Sequence, residues 1–161
     1  IATESANIGT VMHRSLEKHV KGEDRKPGTN LVQQKGFAMA NVIIEHGLAD
    51  VNEVWGSEVS LYYPELYAGT TDLVGVYKGA PAIMDFKQAR KLKKKEWIED
   101  YFLQLVAYSE AHNKQYNTDI KAGRIFICTQ KNEFQTFEID DYDQWVGRWY
   151  SKLEQYYKKI L

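Results

Sequence analysis

Three charged residues, Asp72, Asp85 and Lys87, interrupt an otherwise largely apolar stretch of the sequence, DLVGVYKGAPAIMDFK. A charge on a buried strand is costly unless a partner or a metal ion compensates it. Two carboxylates and an ammonium group that converge on one point can hold a divalent metal ion and polarise a water molecule against a phosphate group. These residue types therefore predict a site for metal-assisted hydrolysis.

Two strands joined by a tight turn are predicted to bring these residues together. Leu73–Tyr77 and Ala82–Phe86 are apolar runs that suit strands, and residues 78–81, KGAP, are typical of a turn. Because side chains alternate along a strand, Asp85 and Lys87 point to the same face of the second strand. The alternative is a chance D-x-K pattern whose charged side chains face solvent.

The spacing of these residues resembles the signature of the PD-(D/E)XK nuclease superfamily. In that family an Asp on one strand is followed by a D/E-x-K on the next, and here Asp72 matches the first position and residues 85–87, DFK, the second. Thr71 stands where the superfamily's name has Pro, a position that varies. The resemblance implies an α/β fold with a restriction-endonuclease-like core, in which helices flank a central mixed β-sheet.

Three further segments resemble the RecB-like branch of this superfamily and its phage-encoded members. Gln104 and Tyr108 lie on one stripe of a predicted helix and match the branch's Gln-x-x-x-Tyr. The segment GTVMHRSLE resembles its G-x-x-x-H and contributes His13. Glu58, one strand before Asp72, resembles the additional acidic residue that many members place beside the metal. The order and spacing of these residues make the joint match more specific than any one motif.

The resemblance also implies a role for each of these residues. Metal ligands are expected in the side chains of His13, Asp72 and Asp85 and the main-chain carbonyl of Phe86. Catalytic residues are expected to be Asp72, Asp85, Lys87 and Glu58, and substrate-positioning residues Gln104 and Tyr108. A site of oxygen ligands with one imidazole suits Mg²⁺ or Mn²⁺. Lys87 would orient the attacking water or stabilise the developing negative charge.

Each of these residues also has a purely structural interpretation. His13 by itself is typical of a helix residue that faces solvent. Glu58 alternates with apolar neighbours as on any half-solvated strand. Gln104 can be a buried amide bonded to the main chain, and Tyr108 a core aromatic with its hydroxyl at the edge.

A run of cations follows the predicted Asp85–Lys87 strand and suggests a contact with nucleic-acid phosphates. The net charge is only −1, so any such contact must be local. The expected DNA-binding residues are Arg90, Lys91, Lys93, Lys94 and Lys95. The alternative is a solvated loop. Trp97 and Tyr101 follow and could stack on bases of a single strand, although core packing is an equal interpretation.

The resemblance to the RecB-like branch implies a metal-dependent DNA exonuclease, an enzyme that acts on single-stranded ends in replication, recombination or repair. A DNA endonuclease of the same superfamily and a non-catalytic DNA-binding module are the alternatives. The module would be expected to lack at least one of Asp72, Asp85 and Lys87, and all three are present. A cytoplasmic location in a bacterium or phage-infected cell is expected, with the mitochondrial matrix as the alternative.

Length and composition bound the architecture. The chain has 161 residues, 43% of them hydrophobic, and is expected to form one nuclease domain, with residues 1–50 contributing His13 and residues 51–161 the catalytic core. The single cysteine, Cys128, excludes a four-cysteine iron–sulfur cluster. No apolar run approaches the roughly 20 residues that span a bilayer, so no membrane partner is expected. The start at Ile1 instead of Met suggests a trimmed chain.

Hydrophobic periodicity and turn residues predict nine elements in the order ααβββαββα. The predicted helices are 3–20, 31–47, 96–113 and 140–161, and the predicted strands 51–63, 67–77, 82–87, 122–129 and 134–139. This order fits a central mixed sheet with helices on both faces.

Overall fold

The computed structural model describes residues 2–160, and its helices and strands follow the predicted order. The helices are α1 (Ala2–Lys21), α2 (Leu31–His46), α3 (Glu99–Tyr116) and α4 (Tyr142–Ile160). The strands are β1 (Val51–Tyr63), β2 (Tyr67–Tyr77), β3 (Ala80–Ala89), β4 (Ala122–Thr129) and β5 (Phe134–Glu138). Within residues 2–160, no helix is both long and apolar enough to cross a membrane.

The strands form one mixed sheet, as the sequence predicted, and their order in this sheet is β1-β2-β3-β4-β5. Neighbouring strands are antiparallel except for β3 and β4, which are parallel. A parallel pair requires a long crossover connection, and α3 provides it. The fold is therefore the α/β arrangement expected from the sequence.

Two hydrophobic cores lie on opposite faces of the sheet. Alternation along β3 sends Met84 and Phe86 into the core beneath α1 and α2, and Ile83 into the core beneath α3 and α4. Asp85 and Lys87 therefore share one face, as predicted, and the structure shows that it is the face toward α3. The charged residues of the D-x-K motif and its apolar residues face different helices.

The hydrogen-bonded ladder between β2 and β3 ends immediately before the two aspartates of the motif. Leu73 and Met84 are the last paired residues at this end of the ladder. Strand β3 nevertheless continues beside β4 as far as Ala89. Asp72 and Asp85 thus stand at the first positions past the ladder, where the two strands separate.

The turn between β2 and β3 is shorter than predicted. Lys78 and Gly79 alone form it, with φ values of 46° and 86°. Positive φ at both central residues is typical of the two-residue turn that matches the twist of a hairpin. Strand β3 therefore begins at Ala80, and Pro81 pairs with Val76 inside the ladder instead of lying in the turn.

Two helices begin later than the sequence predicted. A short 3-10 helix, Lys95–Trp97, precedes α3, which starts at Glu99 instead of residue 96. Helix α4 starts at Tyr142 instead of residue 140. Acidic residues near a helix N-terminus also suit the positions before the first turn, which explains this shift. The predicted last residue of α4, Leu161, lies outside the described residues.

Candidate active site

The carboxylates of Asp72 and Asp85 each bind the main chain of the opposite strand. Asp72 Oδ2 accepts a hydrogen bond from Phe86 N at 2.8 Å. Asp85 Oδ1 accepts from Asp72 N and from Thr71 Oγ1, both at 3.1 Å. These bonds stand where the ladder of β2 and β3 would otherwise continue, so they hold both carboxylates at the opening between the strands. The contribution of Thr71 was missed in the sequence, where its place before the aspartate is its only signal.

Helix α1 brings His13 over this opening. Its Nδ1 lies 2.9 Å from Gly9 O, and its Nε2 lies 2.7 Å from Phe86 O and 3.4 Å from Asp72 Oδ2. Gly9 allows the close approach of the helix, because a Cβ there would lie 3.1 Å from Gln88 Nε2. The G-x-x-x-H segment therefore delivers the imidazole to the two motif strands.

The contacts of His13 fit two states of the ring. It is either a protonated, positively charged imidazole or a neutral imidazole that binds a cation. Both ring nitrogens face oxygen acceptors, whereas a neutral imidazole carries one N–H. Burial favours the neutral ring, but the hydrogen bond and charge of Asp72 outweigh it and raise the pKa of His13 to about 9. With its proton on Nδ1, the ring would instead present the Nε2 lone pair to a cation shared with Phe86 O and Asp72.

Several carboxylates lie close together in the candidate site and give it an excess of negative charge. Asp85 is 4% exposed, and burial together with the Asp72 charge raises its pKa. Burial, Asp72 and Glu17 likewise raise the pKa of Glu58, which is directed toward Asp72. Carboxylates that share a site resist ionisation unless a cation compensates them. The electrostatics therefore favour binding of a positive ion.

The backbone of Glu58 adopts an unusual conformation beside the two aspartates. Its φ is 50°, a left-handed value that residues other than glycine adopt mainly where their surroundings enforce it. It lies between Ser57, paired with Leu73, and Val59, paired with Thr71, so it is level with Asp72 across the sheet. The strand therefore aims this carboxylate at the site instead of leaving it on the regular solvent face.

The available ligands suit a divalent cation, although they do not form a finished cage. One imidazole nitrogen, one main-chain oxygen and the Asp72 carboxylate converge directly, and Asp85 is linked to them through Asp72 N. Within the part of the chain that the structure describes, no three His, Cys, Asp or Glu side chains are already grouped to enclose a metal ion. The assignment of His13, Asp72, Asp85 and Phe86 O as ligands therefore stays a prediction.

Lys87 is positioned by residues of α3. Its Nζ donates to Gln104 Oε1 at 2.7 Å and lies 3.8 Å from Asp85 Oδ2. It also lies 4.8 Å from the ring centroid of Tyr101. The sequence predicted a substrate-positioning role for Gln104, and the structure shows its amide oxygen on the lysine. Gln104 therefore fixes Lys87 directly.

Tyr108 supports the same corner of the site. Burial, more than the nearby Asp85 charge, raises its pKa to about 12, and its hydroxyl is next to Gln104. Its ring packs on β2 at Gly69, where a Cβ would come within 2.8 Å of the ring. The Gln-x-x-x-Tyr pair thus joins α3 to the catalytic strands.

A groove of about 660 Å³ opens over these residues. His13 and Arg14 line it from α1, and Glu58, Asp72 and Lys87 line it from the sheet. Asp72 and Lys87 are therefore accessible from this groove, whereas the buried Asp85 does not line it.

The predicted cationic run does not form one uniform patch. Lys95 Nζ lies 2.6 Å from Asp140 Oδ2, so a carboxylate already compensates its charge. The main chain of Lys93 is held by Gln135 through hydrogen bonds of 2.7 and 3.0 Å. Lys94 Nζ lies 5.3 Å from the ring centroid of Trp97, while Arg90 and Lys91 are exposed. A DNA-binding role for the run stays a prediction.

The sequence is similar to two mitochondrial nucleases over nearly its whole length. It is 29% identical to human mitochondrial genome maintenance exonuclease 1 and 25% identical to the mouse protein, in each case over 94% of this chain. The chain spans less than half of those relatives, 45% of the human and 46% of the mouse protein. No family model matches the chain.

A crystal structure of a candidate exonuclease from Eubacterium rectale has a similar fold. Its TM-score is 0.66 at 10% identity, and the alignment covers 95% of this chain and 66% of that one. At this identity the similarity concerns the fold alone, and it confirms the predicted α/β core. The sequence similarity and this fold together support a nuclease family relationship for the chain, as its resemblance to the PD-(D/E)XK superfamily predicted.

Proposed function

We propose that this chain is a metal-dependent deoxyribonuclease that degrades single-stranded DNA from its ends in replication, recombination or repair. The observation that carries this proposal is the meeting of Asp72, Asp85 and Lys87 at the opening between β2 and β3. The mitochondrial relatives bear the name exonuclease, and they support the choice of an exonuclease over an endonuclease.

The metal ion in this proposal is Mg²⁺ or Mn²⁺, held by His13, Asp72, Asp85 and the Phe86 carbonyl. When bound, such an ion lowers the pKa of a water ligand and neutralises charge on the scissile phosphate. The protein's part is to hold these ligands in place. Hydrogen bonds from Phe86 N and from Asp72 N do so for the two carboxylates.

Lys87 supplies the positive charge of the protein at the reacting phosphate. An ammonium group has three donors, and Gln104 takes one of them. The remaining donors can bind a phosphate oxygen on which negative charge develops. A hydrogen bond that strengthens in the transition state in this way lowers the activation barrier of hydrolysis. Gln104 keeps the ammonium from moving fully onto Asp85.

Two aromatic residues, the exposed Trp97 and the partly buried Tyr101, support a single-stranded substrate. Trp97 is 60% exposed and lies beside the cation of Lys94. Tyr101, one helical turn further, lies beside Lys87. Unpaired bases can stack on such rings without sequence preference, whereas the bases of a duplex are already stacked.

Replacing His13 with Ala is expected to weaken Mn²⁺ binding by about tenfold or more, because it removes the only imidazole facing Phe86 O and Asp72 among the described residues. Isothermal titration calorimetry measures this affinity. His19→Ala on the same helix is the matched control and should bind Mn²⁺ like the wild type. Equal affinity in His13→Ala and the wild type would remove His13 from the ligand set.

Cleavage from ends is tested with linear and covalently closed circular single-stranded DNA of equal length. With Mg²⁺ or Mn²⁺ the linear strand should shorten progressively, and the circle should resist. Helix α1 lines one side of the groove, and we propose that it restricts entry to strand ends. Rapid cutting of circles would instead support an endonuclease, and no cleavage of either DNA would support a non-catalytic binding module.

A further inference from the structure

A second, smaller groove beside the active site is lined by cations. It lies between α1, α2 and the loop that joins them, and its volume is about 160 Å³. Its charged lining residues are Arg14, Lys18, Arg25 and Lys26, and no Asp or Glu of residues 2–160 lines it. Pockets for whole small molecules usually measure about 300–1,000 Å³, so this groove suits a group as small as a phosphate. We call it the basic groove.

Arg25 is held rigidly at the wall of the basic groove. Its Nε donates to Ser15 O at 3.1 Å and to Ser15 Oγ at 2.9 Å, and its Nη2 donates to Asn41 Oδ1 at 2.8 Å. Its guanidinium carbon lies 4.6 Å from the ring centroid of Phe37. These contacts fix the fork of the guanidinium group before any ligand arrives, which lowers the entropy cost of binding an anion.

The cations of the basic groove have no carboxylate partners in the described part of the chain. Arg14, Lys18, Arg25 and Lys26 are absent from every ion pair between residues 2 and 160. Burial lowers the pKa of Arg25, as expected for a partly desolvated cation without a counter-ion. This differs from Lys95, whose charge Asp140 already compensates. An anionic ligand would supply the missing compensation.

Arg14 connects the basic groove to the active site. It lines both the basic groove and the larger groove over Asp72 and Lys87. It follows His13 on α1, and consecutive helix residues point to adjacent faces. An extended strand that lies over the catalytic carboxylates can therefore continue across Arg14 into the basic groove.

We propose that the basic groove binds a backbone phosphate of the single DNA strand whose scissile phosphate lies at Asp72 and Asp85. This inference rests on the proposed function and adds a second anchor point for the substrate. Such an anchor would fix how far the strand is drawn over the site. It places the DNA contact on the N-terminal helices, away from the cationic run that the sequence indicated.

The test is the double variant Lys18→Ala/Lys26→Ala, which spares the hydrogen-bonded Arg25. Binding of a fluorescent single-stranded oligonucleotide is measured by anisotropy in EDTA at several salt concentrations. We expect the Kd to rise about tenfold and the slope of log Kd against log salt to fall by about 0.7, the change for one lost phosphate contact on a single strand. In cleavage assays with Mn²⁺, KM should rise while kcat stays unchanged.

The control is Lys114→Ala/Lys159→Ala, which removes two charges from α3 and α4, helices that contribute nothing to the basic groove. It should leave both the Kd and the slope at wild-type values. Equal weakening in the two double variants would show a general charge effect and overturn the inference. Unchanged binding in Lys18→Ala/Lys26→Ala, with wild-type protein that degrades DNA, would overturn it and leave the proposed function intact.

Experiments with inorganic phosphate distinguish two ligands of the basic groove, a phosphate of the DNA backbone and a free phosphate ion. If the basic groove serves the DNA backbone, millimolar phosphate at constant ionic strength should compete with the oligonucleotide in the wild type and lose this effect in Lys18→Ala/Lys26→Ala. A thermal shift by phosphate that depends on these lysines, with equal DNA affinity in both proteins, would identify a free-phosphate site and overturn the inference. Wild-type protein that cuts no DNA would instead contradict the proposed function.

Discussion

Replacing Asp85 with Asn is expected to reduce DNA hydrolysis by about a thousandfold, because it removes one of the carboxylates proposed to hold the metal ion. The amide keeps the shape of the side chain and an oxygen that can accept from Thr71 and Asp72 N. The fold should therefore survive. Initial rates on a labelled single strand with saturating Mn²⁺ measure the loss.

The same substitution should leave thermal stability unchanged or increase it. Burial raises the pKa of Asp85, which means that its ionised form is costly in the folded protein without a bound cation. The amide carries no such cost, as is common where function requires an unfavourable group. Asp119→Asn, at a carboxylate that is 85% exposed, is the matched control and should retain full activity. Full activity in Asp85→Asn would exclude the carboxylate from catalysis.

Replacing Lys87 with Met is expected to reduce cleavage by about a hundredfold to a thousandfold while Mn²⁺ still binds. Methionine keeps an unbranched apolar side chain and removes the ammonium group that Gln104 orients and that lies over the Tyr101 ring. Ammonium groups donate and do not ligate divalent cations. Calorimetry and single-turnover rates on the same preparation separate binding from chemistry.

Two companion variants identify the cause of that loss. Gln104→Ala should lower the rate less than Lys87→Met, because it loosens the ammonium group without removing it. Lys114→Met, an exposed lysine elsewhere, should match the wild type. If Lys87→Met lost Mn²⁺ binding as well, the lysine would be acting through the structure of the site and not through the reaction.

Local patterns were sufficient to predict the bounds of three strands, whereas β3 is longer at both ends than the predicted 82–87. The strand bounds 51–63, 67–77 and 122–129 agree with the structure, and alternation along β3 placed Asp85 and Lys87 together. These features depend on neighbours in the sequence. His13 was found through family resemblance alone, since 73 positions separate it from its partner Phe86 and no periodicity reports such a contact.

Other features required the packed structure. The pairing of Lys95 with Asp140 depends on where α4 begins, which the sequence placed two residues too early. The basic groove depends on how the loop after α1 folds back onto Phe37. The left-handed conformation of Glu58 leaves no mark in the residue order.

The candidate site has two parts, the β2–β3 hairpin and His13 of α1. They differ in how far apart along the chain their contacting residues lie. The mutual bonds of Asp72, Asp85 and Phe86 span only 13 and 14 positions within one hairpin, whereas His13 reaches Phe86 across 73. Closing a long loop costs more entropy than closing a short one, so the hairpin is the part expected to form early during folding. The imidazole arrives only when α1 docks. Helix α1 also buries Met12 and Leu16 in the core with Phe86, so the complete set of proposed ligands is expected to assemble only together with that core.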